Sequence, residues 1–122
     1  METGRPRTVW RMSAAGSLGR LRGEPDHLAS PSSGQATVAV EAIGLNFADI
    51  FAALGLYSAT PRGPFIPGLE CAGTVEAVGD GVESVCPGQR VFGLTRFGAC
   101  ATAVNIDVRY LRPLPNGWTA AD

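Results

Sequence analysis

The sequence predicts a mainly β domain, a closed or partly open barrel of six or seven strands carrying one short helix. Three observations predict it. Residues 35–43 (QATVAVEAI) alternate with a period of two, Val38 and Val40 on one face and Thr37, Ala39 and Glu41 on the other. Sixteen glycines and nine prolines separate short apolar runs along the whole chain, the punctuation of a strand-rich fold with many turns. Only one stretch, after Gly44, has helical spacing. Hydrophobic residues at 45% and charged residues at 17% argue for a packed core, and 122 residues accommodate one domain but not two.

Element by element, residues 8–22 place apolar stretches on either side of Gly16 and Gly19, the pattern of an opening hairpin. Residues 23–34 are polar and rich in Pro and Ser, which predicts a connecting loop, with the single histidine, His27, solvated within it. The strand over 35–43 follows. Phe47, Ile50, Phe51 and Leu54 then recur at three- and four-residue spacing, with Asn46 at an N-cap position and Gly55 as the stop. Residues 58–68 (SATPRGPFIPG) contain three prolines and two glycines and predict a surface loop. Strands are predicted over 69–78, in the run CPGQRVFGL, over 99–106 and over 110–114, with GDGV as a tight turn.

Charge and cysteine content exclude several function classes. The formal net charge is -1 with both signs interspersed, so no basic field exists to hold nucleic acid phosphates. All ten basic residues are arginine, which leaves no lysine for Schiff-base or P-loop chemistry. Cys71, Cys86 and Cys100 lack the paired spacing of a metal site, and the expectation is three buried, reduced thiols. No run approaches the ~18 apolar residues of a membrane helix. Residues 1–22 hold five arginines against one acid, a composition that slightly resembles a transit peptide.

Gly79-Asp80-Gly81-Val82-Glu83-Ser84 begins like a dinucleotide fingerprint, but serine replaces the third glycine and no helical pattern follows. The segment predicts a hairpin turn. More specific is a series of linked motifs: NFAD at 46–49, GLY at 55–57, PGLECAG at 67–73, VGDGV at 78–82 and PGQRV at 87–91. In this order they resemble the N-terminal, GroES-like domain of zinc-independent medium-chain reductases, the group of quinone oxidoreductases, polyketide enoyl reductases and the vesicle amine transport protein subgroup. The resemblance covers residues 8–122 and implies one GroES-like domain over 1–122 with a core at about 8–115. It also implies that residues 8–22 form the first hairpin, and that the Rossmann domain binding the cofactor is not among these residues, the chain ending where relatives lead into it.

In zinc-dependent members of that superfamily a cysteine stands at the position of Asn46 and a histidine at that of Leu69, while the next glutamate corresponds to Glu70. Leucine cannot bind zinc and an amide oxygen substitutes poorly for thiolate, so no metal is expected. The resemblance implies NADPH-dependent hydride transfer to a quinone or enone without zinc, in a cytoplasmic and homodimeric parent enzyme. Asn46 is the candidate for substrate or cofactor contact, with helix capping as its structural alternative. Tyr57 is a candidate proton donor or stacking partner, or else a rim residue. Phe51 is expected to wall the substrate pocket, and Asp49 and Glu70 to support the site, Glu70 through an ion pair with an arginine. A different class remains open, a non-catalytic interaction module with a co-chaperonin-like fold and residues 58–68 as its mobile loop.

Overall fold

A computed structural model describes residues 3–122 and contains seven strands and one α-helix, in two open sheets. β1 (Arg5–Met12) pairs antiparallel with β2 (Leu21–Leu28) as a separate hairpin. The other five, β3 (Gln35–Gly44), β4 (Glu70–Val78), β5 (Arg90–Leu94), β6 (Ala103–Asp107) and β7 (Leu111–Pro113), form an antiparallel sheet in the order β6-β3-β4-β5-β7. The mainly β, GroES-like class predicted from sequence is the class observed, and GDGV is a turn between β4 and β5.

Several boundaries differ from expectation. The polar segment after Gly23 is not a loop until Leu28, because its residues continue β2 and place His27 on a strand. Composition hid this strand because none of its residues is buried. Pairing with β1 holds it, together with the ion pairs Arg7–Asp26 (2.7 Å) and Arg11–Glu24 across the hairpin. Burial works against the Asp26 charge, but hydrogen bonds from Arg7 and Arg11 outweigh it and hold the carboxyl below its ordinary range. Residues 99–102 are irregular, and the predicted strand begins only at Ala103. Of the three cysteines only Cys71 is buried; Cys100 is half-buried and Cys86 exposed, in the turn-rich segment before β5.

The core lies against the five-stranded sheet, where Ala36, Val38, Val75, Val91 and Ile106 are almost wholly excluded from water. β1 closes one end. Its Trp10 N–H donates to the Cys100 carbonyl at 2.9 Å, and Met12 exchanges two backbone hydrogen bonds with Phe65. Residues 58–68 are therefore fastened at Phe65, whose ring is buried with Met12, Ala52 and Ala53 in a second small cluster. β3 and β4 pack backbone to backbone where Gly73 faces the Ala39 carbonyl, since a Cβ there would stand 1.9 Å from that oxygen.

Candidate functional site

The helix α1 (Phe47–Leu54) starts directly after β3, and a capping box fixes its first turn. The Asp49 carboxylate accepts the Asn46 backbone N–H at 2.8 Å, while the reciprocal arm, the Asn46 side chain over the Asp49 backbone N–H, is looser than a full hydrogen bond. At the other end Gly55, in the left-handed region at φ 80, closes the helix. Gly55 N–H donates to the Ala52 carbonyl and Leu56 N–H to the Phe51 carbonyl, the paired bonds of a Schellman motif.

The packing face of α1 is not its large apolar stripe. Asp49, Ala52 and Ala53 are buried, whereas Phe47 is 79% exposed and Ile50, Phe51 and Leu54 also face outward. Small side chains let the helix lie close to Met12 and Phe65, and the bulky ones are left on the open side. Leu45, Leu56 and Tyr57, which flank the helix in sequence, are exposed as well.

Of the predicted site residues, Asn46, Asp49 and Glu70 are brought together. Asn46 Nδ2 donates to Glu70 Oε2 at 3.4 Å, although 24 residues separate them. Glu70 opens β4 opposite Gly44, the last residue of β3, and among the described residues it makes no ion pair with an arginine. Its partner is the amide. Asp49 is 8% exposed, and its second oxygen, Oδ1, has no hydrogen-bond partner. Burial first, and the Asp49 charge second, push the Cys100 thiol up to about 11. Phe51 and Tyr57 lie on and just beyond the open face of the helix, and the structure records no bond between either and Asn46.

Two features have no local sequence signal. Gly44 sits beneath the Glu70 side chain, where a Cβ would meet Oε1 at 1.8 Å, a relation set by strand pairing rather than spacing. Beyond Glu70 a cleft of about 790 Å³ runs between β4, β5 and the C-terminal segment, lined in part by Ile43, Phe92, Leu94, Tyr110 and Trp118. Each of these five side chains is exposed, so together they form a second apolar surface continuous with the site through Glu70. Among the described residues, no three His, Cys, Asp or Glu side chains converge to hold a metal ion, and no helix is long and apolar enough to cross a membrane.

Comparison with known proteins places this geometry in context. Residues 32–116 match the family model of the alcohol dehydrogenase GroES-like domain. The chain is 41% identical over 120 residues to the pikromycin polyketide synthase component PikAII of Streptomyces venezuelae, covering 93% of this chain and 3% of that one. It is 39% identical over 100 residues to the synaptic vesicle membrane protein VAT-1 homolog of Rattus norvegicus, 82% of this chain and 25% of the relative. Among solved structures, the human VAT-1 homolog-like protein superposes with a TM-score of 0.91 at 30% identity, over 94% of this chain and 37% of that one. Escherichia coli quinone oxidoreductase complexed with NADPH superposes with a TM-score of 0.88 at 31% identity, over 93% and 35%. The chain thus spans about a quarter or less of these relatives' sequences and a little over a third of the superposed structures.

Proposed function

Since the chain belongs to the alcohol dehydrogenase GroES-like domain family, in its quinone oxidoreductase-like branch, we propose that it is the substrate-side domain of a zinc-free, NADPH-dependent oxidoreductase reducing quinones or activated double bonds. The observation that carries the reading is the Asn46–Glu70 pair at the mouth of an open apolar face. Here Asn46 and Leu69, the neighbour of Glu70, stand at the positions where zinc-dependent relatives place a cysteine and a histidine. An amide and a leucine do not make a zinc site.

NADPH, when bound, supplies the hydride. The residues present fit its nicotinamide end: Asn46 offers a polar contact at a helix N-terminus, and Phe47, Phe51 and Tyr57 offer exposed apolar surface. They offer no glycine-rich turn between a strand and a helix, so the phosphates are held outside these residues, by a Rossmann domain of the parent enzyme. Phe51 and Tyr57 hold the flat acceptor and exclude water. As the acceptor's β-carbon gains the hydride, negative charge moves onto its oxygen, and Asn46 and the Tyr57 hydroxyl donate hydrogen bonds to that oxygen. A proton delivered from solvent, directly or through the Tyr57 hydroxyl, which is then reprotonated by water, completes the reduced product. The reading carries with it a small-molecule acceptor and a homodimeric, cytoplasmic parent.

The competing interaction-module reading requires residues 58–68 to be a mobile loop, and their attachment to β1 at Phe65 speaks against it. A direct experiment joins this chain to the cofactor domain of the E. coli quinone oxidoreductase and measures NADPH oxidation with quinone and enone acceptors. Turnover by the fusion, none by the 122-residue chain alone, and a loss of roughly 10²-fold in kcat on Asn46→Ala are expected. A fusion that binds NADPH yet reduces neither acceptor overturns the proposal, as does appreciable turnover by the isolated chain.

A further inference from the structure

A carboxamide at a reaction site can present either an acceptor oxygen or a donor N–H, and the two ends suit opposite ligand groups. Two neighbours of Asn46 settle which end faces outward here, and both favour the same flip. On one side lie the helix N-terminal amides, a concentration of partial positive charge that attracts Oδ1, although the Asp49 N–H itself donates to the Asn46 backbone carbonyl at 3.0 Å and makes no full bond to the side chain. On the other lies the Glu70 carboxylate, which accepts from Nδ2 at 3.4 Å. That bond is long, but reversing the amide would set Oδ1 against a carboxylate and Nδ2 against helix N–H groups, two like-polarity contacts in place of two attractive ones.

Glu70 reaches Asn46 only because of the residue beneath it. Glu70 and Gly44 are direct cross-strand partners in the β3–β4 ladder. The glutamate side chain lies across the glycine, where a Cβ would meet Oε1 at 1.8 Å, Cδ at 2.5 Å and Cγ at 2.8 Å. Gly44 does not have a positive φ, so backbone conformation does not demand glycine at this position. The space for the Glu70 side chain does.

We propose that Glu70, lying across Gly44, is a positioning residue that fixes the Asn46 carboxamide so that one N–H of Nδ2 is held by Glu70 and the second is the group presented to ligands. Resting on the reductase reading, this assigns Asn46 an acceptor oxygen as its ligand atom, a substrate carbonyl or an oxygen of the cofactor. Ligand N–H donors are disfavoured at this point.

The test uses the 122-residue chain without cofactor or substrate, by ¹⁵N relaxation and chemical shifts of the Asn46 side-chain NH₂. In the native chain the group should be ordered, with the Glu70-facing proton shifted downfield of its value in a free carboxamide. Glu70→Ala should return the Glu70-facing proton to the shift of a free carboxamide and lower the side-chain order parameter below about 0.6, the flexible range, while the α1 backbone amides stay rigid. Glu70→Gln keeps an acceptor oxygen and should retain most of the order. Gly44→Ala should resemble Glu70→Ala even though the carboxylate is present, because the added methyl displaces it. An Asn46 amide equally ordered in Glu70→Ala, or unaffected by Gly44→Ala in a folded chain, overturns the proposal. Should Gly44→Ala fail to fold, the contrast between Glu70→Ala and Glu70→Gln still decides it. Because nothing here depends on hydride transfer, a negative result leaves the reductase reading intact, and an inactive fusion leaves this one intact.

Discussion

The five-stranded sheet and the helix α1 use apolar residues in opposite ways. Val38, Val75, Val91 and Ile106 in the sheet are at most 2% exposed, whereas the apolar repeat of α1 points outward and small residues make its packing contacts. Burial of apolar area is what stabilises a domain, at about 25 cal/mol per Å². The sheet side therefore carries the stability, and the outward face of α1 contributes little to it. Exposed bulky groups grouped on one element mark a surface with another use. Here that surface adjoins the Asn46–Glu70 pair.

The contrast is sharpest in its stability consequences. Ile106→Ala removes an almost fully buried side chain and should destabilise the chain by about 2–5 kcal/mol, read as a shift in denaturant midpoint. A loss under ~1 kcal/mol would mean that this core is not the one holding the fold.

Titration of Cys71 and Cys100 gives an intermediate effect. Burial pushes Cys71 up to about 11, and burial with the Asp49 charge does the same to Cys100, against an ordinary value of 9.0. Each folded-state value is raised above the unfolded one, so the stability these thiols contribute is fully present below pH 9.0. It is lost as pH rises towards about 11, since the unfolded chain ionises first. Unfolding midpoints should fall through that window, and replacing Cys71 and Cys100 together by Ala should flatten the fall. Exposed Cys86 should be alkylated ahead of both at pH 8, as mass mapping would reveal; equal rates at all three would contradict the burial described.

Smallest of all should be the stability effect of Phe47→Ser on the outward face, within ~0.5 kcal/mol, despite the loss of a whole aromatic ring. A change above 2 kcal/mol would show that this face is packed in the isolated chain, and would erase the distinction between the two regions.

Legibility in the sequence follows from range. The helix limits were readable because an N-cap residue, a carboxylate three positions later and a terminal glycine act within one or two turns. β3 and β4 were readable because β-branched and small apolar residues alternate over several positions. β2 was not, since its residues are polar and include Gly23 and Pro25; only pairing with β1 and the arginine–carboxylate rungs make it a strand. Among the described residues Glu70 pairs with no arginine; the opposing residue on β3 is glycine, and the carboxylate lies across it towards Asn46, a placement set by strand register.

The sequence by itself determined the β-rich class and the position and capping of the one helix, because propensity, capping and turn chemistry are local. Tertiary structure alone decided that the apolar repeat of α1 faces outward and that the first hairpin fastens residues 58–68. It also decided that Glu70, 24 residues from Asn46, holds the amide across a glycine. Those outcomes depend on strand register and on which surfaces meet, quantities that no window of neighbouring residues contains.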